Sequence, residues 1–131
     1  MIDDAFISVV LDIPGAEGPC FTPDKRIFMV APNWGHVLEV VDFGKTRLLA
    51  DTKGMPAGLQ LDRNGDLWLA DMKLGVLRIT LGGEILPEVT TFEGQPMRGC
   101  NDCAFDSRGN LYVGKRGVVV DTPVAPARRS A

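Results

Sequence analysis

Short apolar runs separated by turn residues recur along the chain, and three segments fall into one register: GPCFTPDKRIFMVA (18–31), GLQLDRNGDLWLAD (58–71) and DCAFDSRGNLYVGK (102–115). Each has an apolar anchor, at Phe21, Leu61 and Phe105, followed by a turn such as Arg63-Asn64-Gly65. A new apolar run starts six residues past each anchor, at Ile27, Leu67 and Leu111. The anchors lie 40 and 44 residues apart, a spacing in the range of repeat architectures. Ile27–Ala31, Leu67–Asp71 and Leu111–Gly114 carry an aromatic second residue (Phe28, Trp68, Tyr112) and predict buried strands. Third strands are expected at His36–Asp42 and Gly75–Leu81, and fourth strands at Thr46–Ala50 and Glu88–Phe92. No stretch shows a helical period with caps at both ends.

Four antiparallel strands in about forty residues is the layout of a propeller blade. The expected fold is therefore all-β, a partial β-propeller. It has two four-stranded blades at about 18–51 and 57–93, an incomplete third at 101–120, and one unpaired N-terminal strand at Phe6–Leu11. Residues 121–131, DTPVAPARRSA, lack periodicity and are expected to form a disordered Pro/Ala/Arg tail. Six blades of this size need roughly 250 residues. The expectation is a truncated piece, or a protomer of something larger, with blade faces that favour association.

Composition changes this picture little. Of 131 residues, 45% are hydrophobic and 24% charged, the balance of a soluble globular protein. A net charge of −3 gives no electrostatic grip on nucleic acid or anionic membrane. No apolar run approaches the ~20 residues that span a bilayer. MIDDAFISVV lacks the basic start of a secretion signal, so a cytoplasmic location is expected. Cys100-Asn-Asp-Cys103 has CxxC spacing, but Cys20 and the single His36 are the only further zinc ligands. A redox pair belongs at a helix N-terminus, whereas the sequence here is strand-like, so the thiols read as packing groups. His36 is assigned no role, and Arg128-Arg129 is too small for a nucleic-acid site.

The repeat also locates candidate chemistry. Four residues before the anchors stand Glu17, Ala57 and Asn101, with Gly18, Gly58 and Gly99 nearby. The innermost strands of a propeller line its central channel, so equivalent positions form a ring about the axis. A carboxylate and an amide oxygen aimed at one point suit a hard cation such as calcium, while zinc or copper asks for His or Cys. The plainer alternative makes Glu17 a turn residue and Asn101 a strand cap.

DIPGAEGP (12–19), PAGLQLDRNGDLWLADMKLGVL (56–77) and MRGCNDCAFDSRGNLYV (97–113) resemble the diisopropyl fluorophosphatases, within the regucalcin and gluconolactonase superfamily. The resemblance implies a six-bladed propeller with calcium in its tunnel, hydrolysing phosphorus–fluorine bonds of organophosphates or opening lactones. It makes Glu17 and Asn101 ligands of the catalytic calcium, Asp102 an acidic neighbour of that ion, and Met55 and Met72 walls of the substrate pocket. For both methionines ordinary core packing is the alternative. The family's aspartate nucleophile and its structural-calcium residues have no counterpart in these 131 residues. Three readings follow: a hydrolase piece inactive as a monomer, an active half-propeller homodimer, or a non-enzymatic calcium-binding or interaction module.

Overall fold

The computed structural model describes residues 8–115 and 124–126, and every regular element of it except one short turn is a strand. Blade 1 consists of β1 (Glu17–Phe21), β2 (Ile27–Ala31), β3 (His36–Asp42) and β4 (Lys45–Asp51), hydrogen-bonded in that order. Blade 2 repeats it with β5 (Pro56–Leu61), β6 (Leu67–Asp71), β7 (Gly75–Ile79) and β8 (Ile85–Val89). After a small hairpin, β9 (Thr91–Phe92) and β10 (Gln95–Pro96), blade 3 contributes β11 (Cys100–Phe105), β12 (Asn110–Lys115) and β13 (Val124–Pro126). All pairings are antiparallel.

The turns between the first two strands of each blade are fixed by a side-chain oxygen that takes backbone N–H groups. Asp62 Oδ1 accepts from the N–H of Asn64 and Asp66, and Asp106 Oδ1 from Arg108 and Asn110. In blade 1 the Thr22 hydroxyl serves, accepting from Arg26 N–H at 2.9 Å. This is the Asx- and ST-turn chemistry of such residues.

Alternation along the strands gives each blade two apolar faces, and they stack. Blade 1 offers Cys20, Phe28, Val30 and Val37 to Leu59, Leu67, Leu69, Leu77 and Ile79 of blade 2. The opposite face of blade 2, with Trp68, Ala70 and Val76, packs on Cys100, Cys103, Leu111 and Val113 of blade 3. Close approach between blades is possible because β5 carries Gly58. A Cβ there would stand 2.7 Å from the Asn101 carbonyl oxygen of β11. A Cβ on Gly18 of β1 would likewise meet the Ala57 carbonyl at 2.8 Å.

Several expectations shift. The fourth strand of blade 2 is Ile85–Val89, not Glu88–Phe92, because the turn at Thr80–Glu84 closes tightly on the Thr80 hydroxyl and Gly83. Thr91 and Phe92 pair instead with Pro96 and Gln95. β7 ends at Ile79 rather than Leu81 for the same reason. Of the expected opening strand, Phe6 and Ile7 lie outside the described residues, and residues 8–11 form no strand. Among the described residues, Gly44 N–H donates to the Val10 carbonyl. Within the expected tail, Val124–Pro126 pairs with the free edge of β12, opposite Asn110 and Leu111. Residues 116–123 and 127–131 lie outside the described residues. Among the described residues no helix is long and apolar enough to cross a membrane.

Candidate functional site: the inner strands and their bulges

The first strand of every blade is irregular at the same place. From Glu17 to Cys20, β1 advances three residues while β2 opposite passes from Val30 to Phe28, two residues. From Cys100 to Cys103, β11 does the same against Lys115 to Val113 of β12. In β5 the step from Pro56 to Gly58 faces only Asp71 to Ala70. One extra residue is therefore inserted into each inner strand, a β-bulge, and a bulge re-aims the side chains beside it. Glu17, Ala57 and Asn101 sit at these three bulges.

The inner strands lie side by side, with Gly18 of β1 against Ala57 and Gly58 of β5 against Asn101 and Asp102. Along this row the positions differ in burial: Glu17 is exposed, Ala57 buried, Asn101 half-buried and Asp102 exposed. Neither the Glu17 carboxylate nor the Asn101 amide has a hydrogen-bond or ionic partner among the described residues. That leaves hard oxygen donors free, the donor type calcium takes. No three His, Cys, Asp or Glu side chains converge to hold a metal among the described residues. The donor set thus fits calcium in kind and supplies only part of its shell.

Met55 and Met72 are both half-buried and brought together, Met72 N–H donating to the Met55 carbonyl at 2.9 Å. The Met72 carbonyl in turn accepts from Gly99 N–H at 2.7 Å, joining the loop after β6 to the approach to β11. Three loops of successive blades are thereby tied together at the end of the stack that carries the bulges.

The charge at the centre of this tie escaped the sequence reading. Asp71, the last residue of β6, is fully buried (0% exposed). Its Oδ1 accepts from the N–H groups of Met55 (3.0 Å), Lys73 (2.8 Å) and Leu74 (3.0 Å). Its Oδ2 lies 3.1 Å from the Thr52 hydroxyl. The absence of a side chain at Gly54 makes room, since a Cβ there would stand 2.5 Å from either carboxylate oxygen. In the sequence Asp71 looks like an ordinary strand terminator, and its partners Thr52 and Met55 lie too far upstream to suggest otherwise.

The three cysteines are free and buried. Burial pushes the Cys103 thiol up to about 12, with the Ala70 backbone hydrogen bond opposing it. Burial also raises Cys100; Lys115 opposes this and the negative charge of Asp71 adds to it. Such thiols are protonated packing groups rather than nucleophiles. His36 is partly exposed, its Nε2 3.9 Å from Asp51 Oδ2 and its ring edge-on to Trp34.

No protein-family model matches the chain. It is 38% identical over 130 residues to the diisopropyl-fluorophosphatase of the squid Loligo vulgaris, an alignment covering 86% of this chain and 41% of that protein. The chain is similar in sequence to a diisopropyl-fluorophosphatase, and its fold is that of a partial β-propeller. It spans about two fifths of that curated relative's length. A gluconolactonase from Xanthomonas campestris superposes with a TM-score of 0.66 at 18% identity, over 75% of this chain and 34% of the other. Regucalcin from Agrobacterium tumefaciens, described as calcium-binding, gives 0.60 at 22% identity, over 81% and 40%. At these identities the two structures speak to the fold, and both agree with stacked blades.

Proposed function

We propose that these blades form part of a calcium-dependent hydrolase acting on organophosphate phosphorus–fluorine bonds or on lactones, with Glu17 and Asn101 as calcium ligands. The observation that carries this reading is the bulge repeated in β1 and β11, which gives a free carboxylate and a free amide equivalent positions on the inner strands. Similarity to a diisopropyl-fluorophosphatase supports the reaction class. Bound there, calcium supplies Lewis acidity toward a phosphoryl or carbonyl oxygen.

The chain's own residues have separate tasks. Glu17 and Asn101 present oxygen, and Asp102 adds negative charge beside them. Met55 and Met72 form an apolar wall that takes an ester's alkyl groups and keeps water off them. Calcium takes about 6 to 8 oxygens, so the remaining ligands come from blades that complete the ring. Alone and monomeric, the described blades are inactive in this reading.

The test is hydrolysis of diisopropyl fluorophosphate and of a simple δ-lactone by the ring-completed protein, with calcium and with chelator. Activity that calcium restores and Glu17→Gln abolishes supports the proposal. Hydrolysis indifferent to chelator contradicts it, and calcium binding without hydrolysis favours the non-enzymatic module.

One observation favours a second reading, in which two copies close one ring. The outward face of blade 1 repeats the pattern by which blades 2 and 3 pack on their predecessors. Phe21 pairs with Ile27 there and is 68% exposed, whereas its counterpart Leu61 packs in the core between the blades. In this reading that face receives blade 3 of a second copy. Light scattering that finds a compact dimer, with one calcium per two chains, supports it; a monomer at high concentration rules it out.

A further inference from the structure

We propose that Asp71 is the positioning residue of the axis site, holding Asn101 in place through a relay of backbone hydrogen bonds that crosses three blades. The proposal rests on the reading of Glu17 and Asn101 as calcium ligands, and concerns a residue that touches neither.

The relay runs in one direction. Asp71 Oδ1 holds Met55 N–H at 3.0 Å. The Met55 carbonyl holds Met72 N–H at 2.9 Å, and the Met72 carbonyl holds Gly99 N–H at 2.7 Å. Gly99 adopts a positive φ of 78° and leads through Cys100 directly to Asn101 and the β11 bulge. On the other side the Thr52 hydroxyl shares its proton between Asp71 Oδ2 (3.1 Å) and the Gly35 carbonyl (3.2 Å). Thr52 N–H donates to that same carbonyl at 2.8 Å, which ties in the residue just before β3.

Two features argue that this carboxylate is more than a satisfied core group. It is fully buried yet faces donors only, and among the described residues it has no cationic partner; the other buried acid, Glu39, has two arginines. A buried charge without a counter-ion is costly, and a neutral residue at the end of a strand avoids that cost. Three N–H groups on one oxygen also fix the loop around Met72 at both ends, and hydrogen bonds to a charged acceptor are roughly twice as strong as neutral ones. Position matters as well: Asp71 is paired with Pro56, directly beside the bulge at Ala57.

Terbium(III), a luminescent substitute for calcium, tests this on the full chain. Its decay in H2O against D2O counts the waters on the bound ion. Asp71→Ala is expected to weaken terbium binding roughly 10- to 100-fold, the usual effect of losing a group that orients a ligand. It also adds water to the ion that remains bound, which loss of global stability alone does not do. Asp71→Asn keeps an acceptor for the three N–H groups and is expected to rescue most of the affinity. In that folded variant, amide exchange quickens at Met55 and Leu74 and also at Gly99, which Asp71 does not touch, while β3 amides stay protected.

Unchanged hydration in Asp71→Ala, or unchanged Gly99 exchange in Asp71→Asn, overturns the positioning role. Glu17→Gln separates the two levels. If it leaves terbium binding intact, the axis site itself is wrong; if it weakens binding while the Asp71 variants match the parent, only the relay fails.

Discussion

Blades 1 and 2 share a geometry and carry opposite charges on it. In blade 1 an acid, Glu39 on β3, sits between two arginines: Arg26 holds it in a two-pronged pair at 2.9 Å, and Arg47 closes on Glu39 Oε2. In blade 2 a base, Arg78 on β7, occupies the matching place, with Asp66 and Glu88 each at 2.8 Å. Glu39 is paired across the ladder with Phe28, and Arg78 with Trp68, the aromatic at the same repeat position. A guanidinium lies over each ring, Arg26 at 5.1 Å from Phe28 and Arg78 at 5.9 Å from Trp68. The blade therefore demands a compensated cluster at its outer strands and is indifferent to which sign is central. The inner strand shows a different tolerance. Its bulge persists in all three blades while the residue beside it changes from Glu17 to Ala57 to Asn101. Outer positions are constrained by mutual compensation, and inner positions only by backbone shape, which leaves them open to chemistry.

The largest break comes from the close contact of inner strands, here that of blade 2 with blade 3 at Gly58. Gly58→Val places a branched side chain where even a Cβ stands 2.7 Å from the Asn101 carbonyl, 3.0 Å from Asp102 Cα and 3.0 Å from Cys103 N. Backbone on both sides cannot yield, so a loss of about 3 kcal/mol is expected in urea unfolding. Gly44→Ala, at a turn with open space around it, is the control, limited to the strain of its positive φ at about 1 kcal/mol. Equal losses at the two glycines contradict close stacking of β5 on β11.

Next come the charge clusters. Glu39→Gln removes the charge between Arg26 and Arg47 and is expected to cost roughly 2 kcal/mol, because Glu39 is only 8% exposed. The sharper experiment transplants the cluster of blade 2 into blade 1 by Arg26→Asp, Glu39→Arg and Arg47→Glu together. If compensation is what matters, the triple variant recovers most of the stability that any one of its changes loses. A triple variant no better than the sum of its parts shows that sign matters after all.

Acid gives a smaller, graded effect. The hydrogen bonds from Arg26, against some burial and helped by Arg47, hold the Glu39 carboxyl down at about 2, below its usual 4.5. Because its folded value is depressed, its contribution is complete above pH 4.5 and is lost as pH falls from there toward about 2. Urea midpoints of the parent are expected to fall through that window. In Glu39→Gln the fall shrinks, and an identical fall in both proteins assigns it to other carboxylates.

Much of the architecture was legible because one register carries it: Phe21, Leu61 and Phe105 fix the turns, and the next strand begins as expected at Ile27 and Leu67 and one residue early, at Asn110, in blade 3. The fourth strand of blade 2 was displaced since Val89-Thr-Thr-Phe92 reads as a strand by composition, while tight closure at Gly83 started the real one at Ile85. Glu17 and Asn101 emerged from repeat phase alone, yet the bulge beside them has no side-chain signature and appears only in the pairing. Asp71 stayed hidden for a further reason. Its importance lies in Thr52, Met55 and Gly54, which the chain brings to it only by folding blade 1 onto blade 2.

Whether the bulges of β1 and β11 aim two side chains at one ion is decided most directly by a double-mutant cycle on calcium affinity. Glu17→Gln, Asn101→Ala and the pair together are titrated calorimetrically at matched folded fraction. Two ligands of one ion give single losses that do not add, the double variant binding little worse than the poorer single. Losses that simply multiply place the two residues at separate ions, and affinities equal to the parent's in all three variants contradict the calcium site.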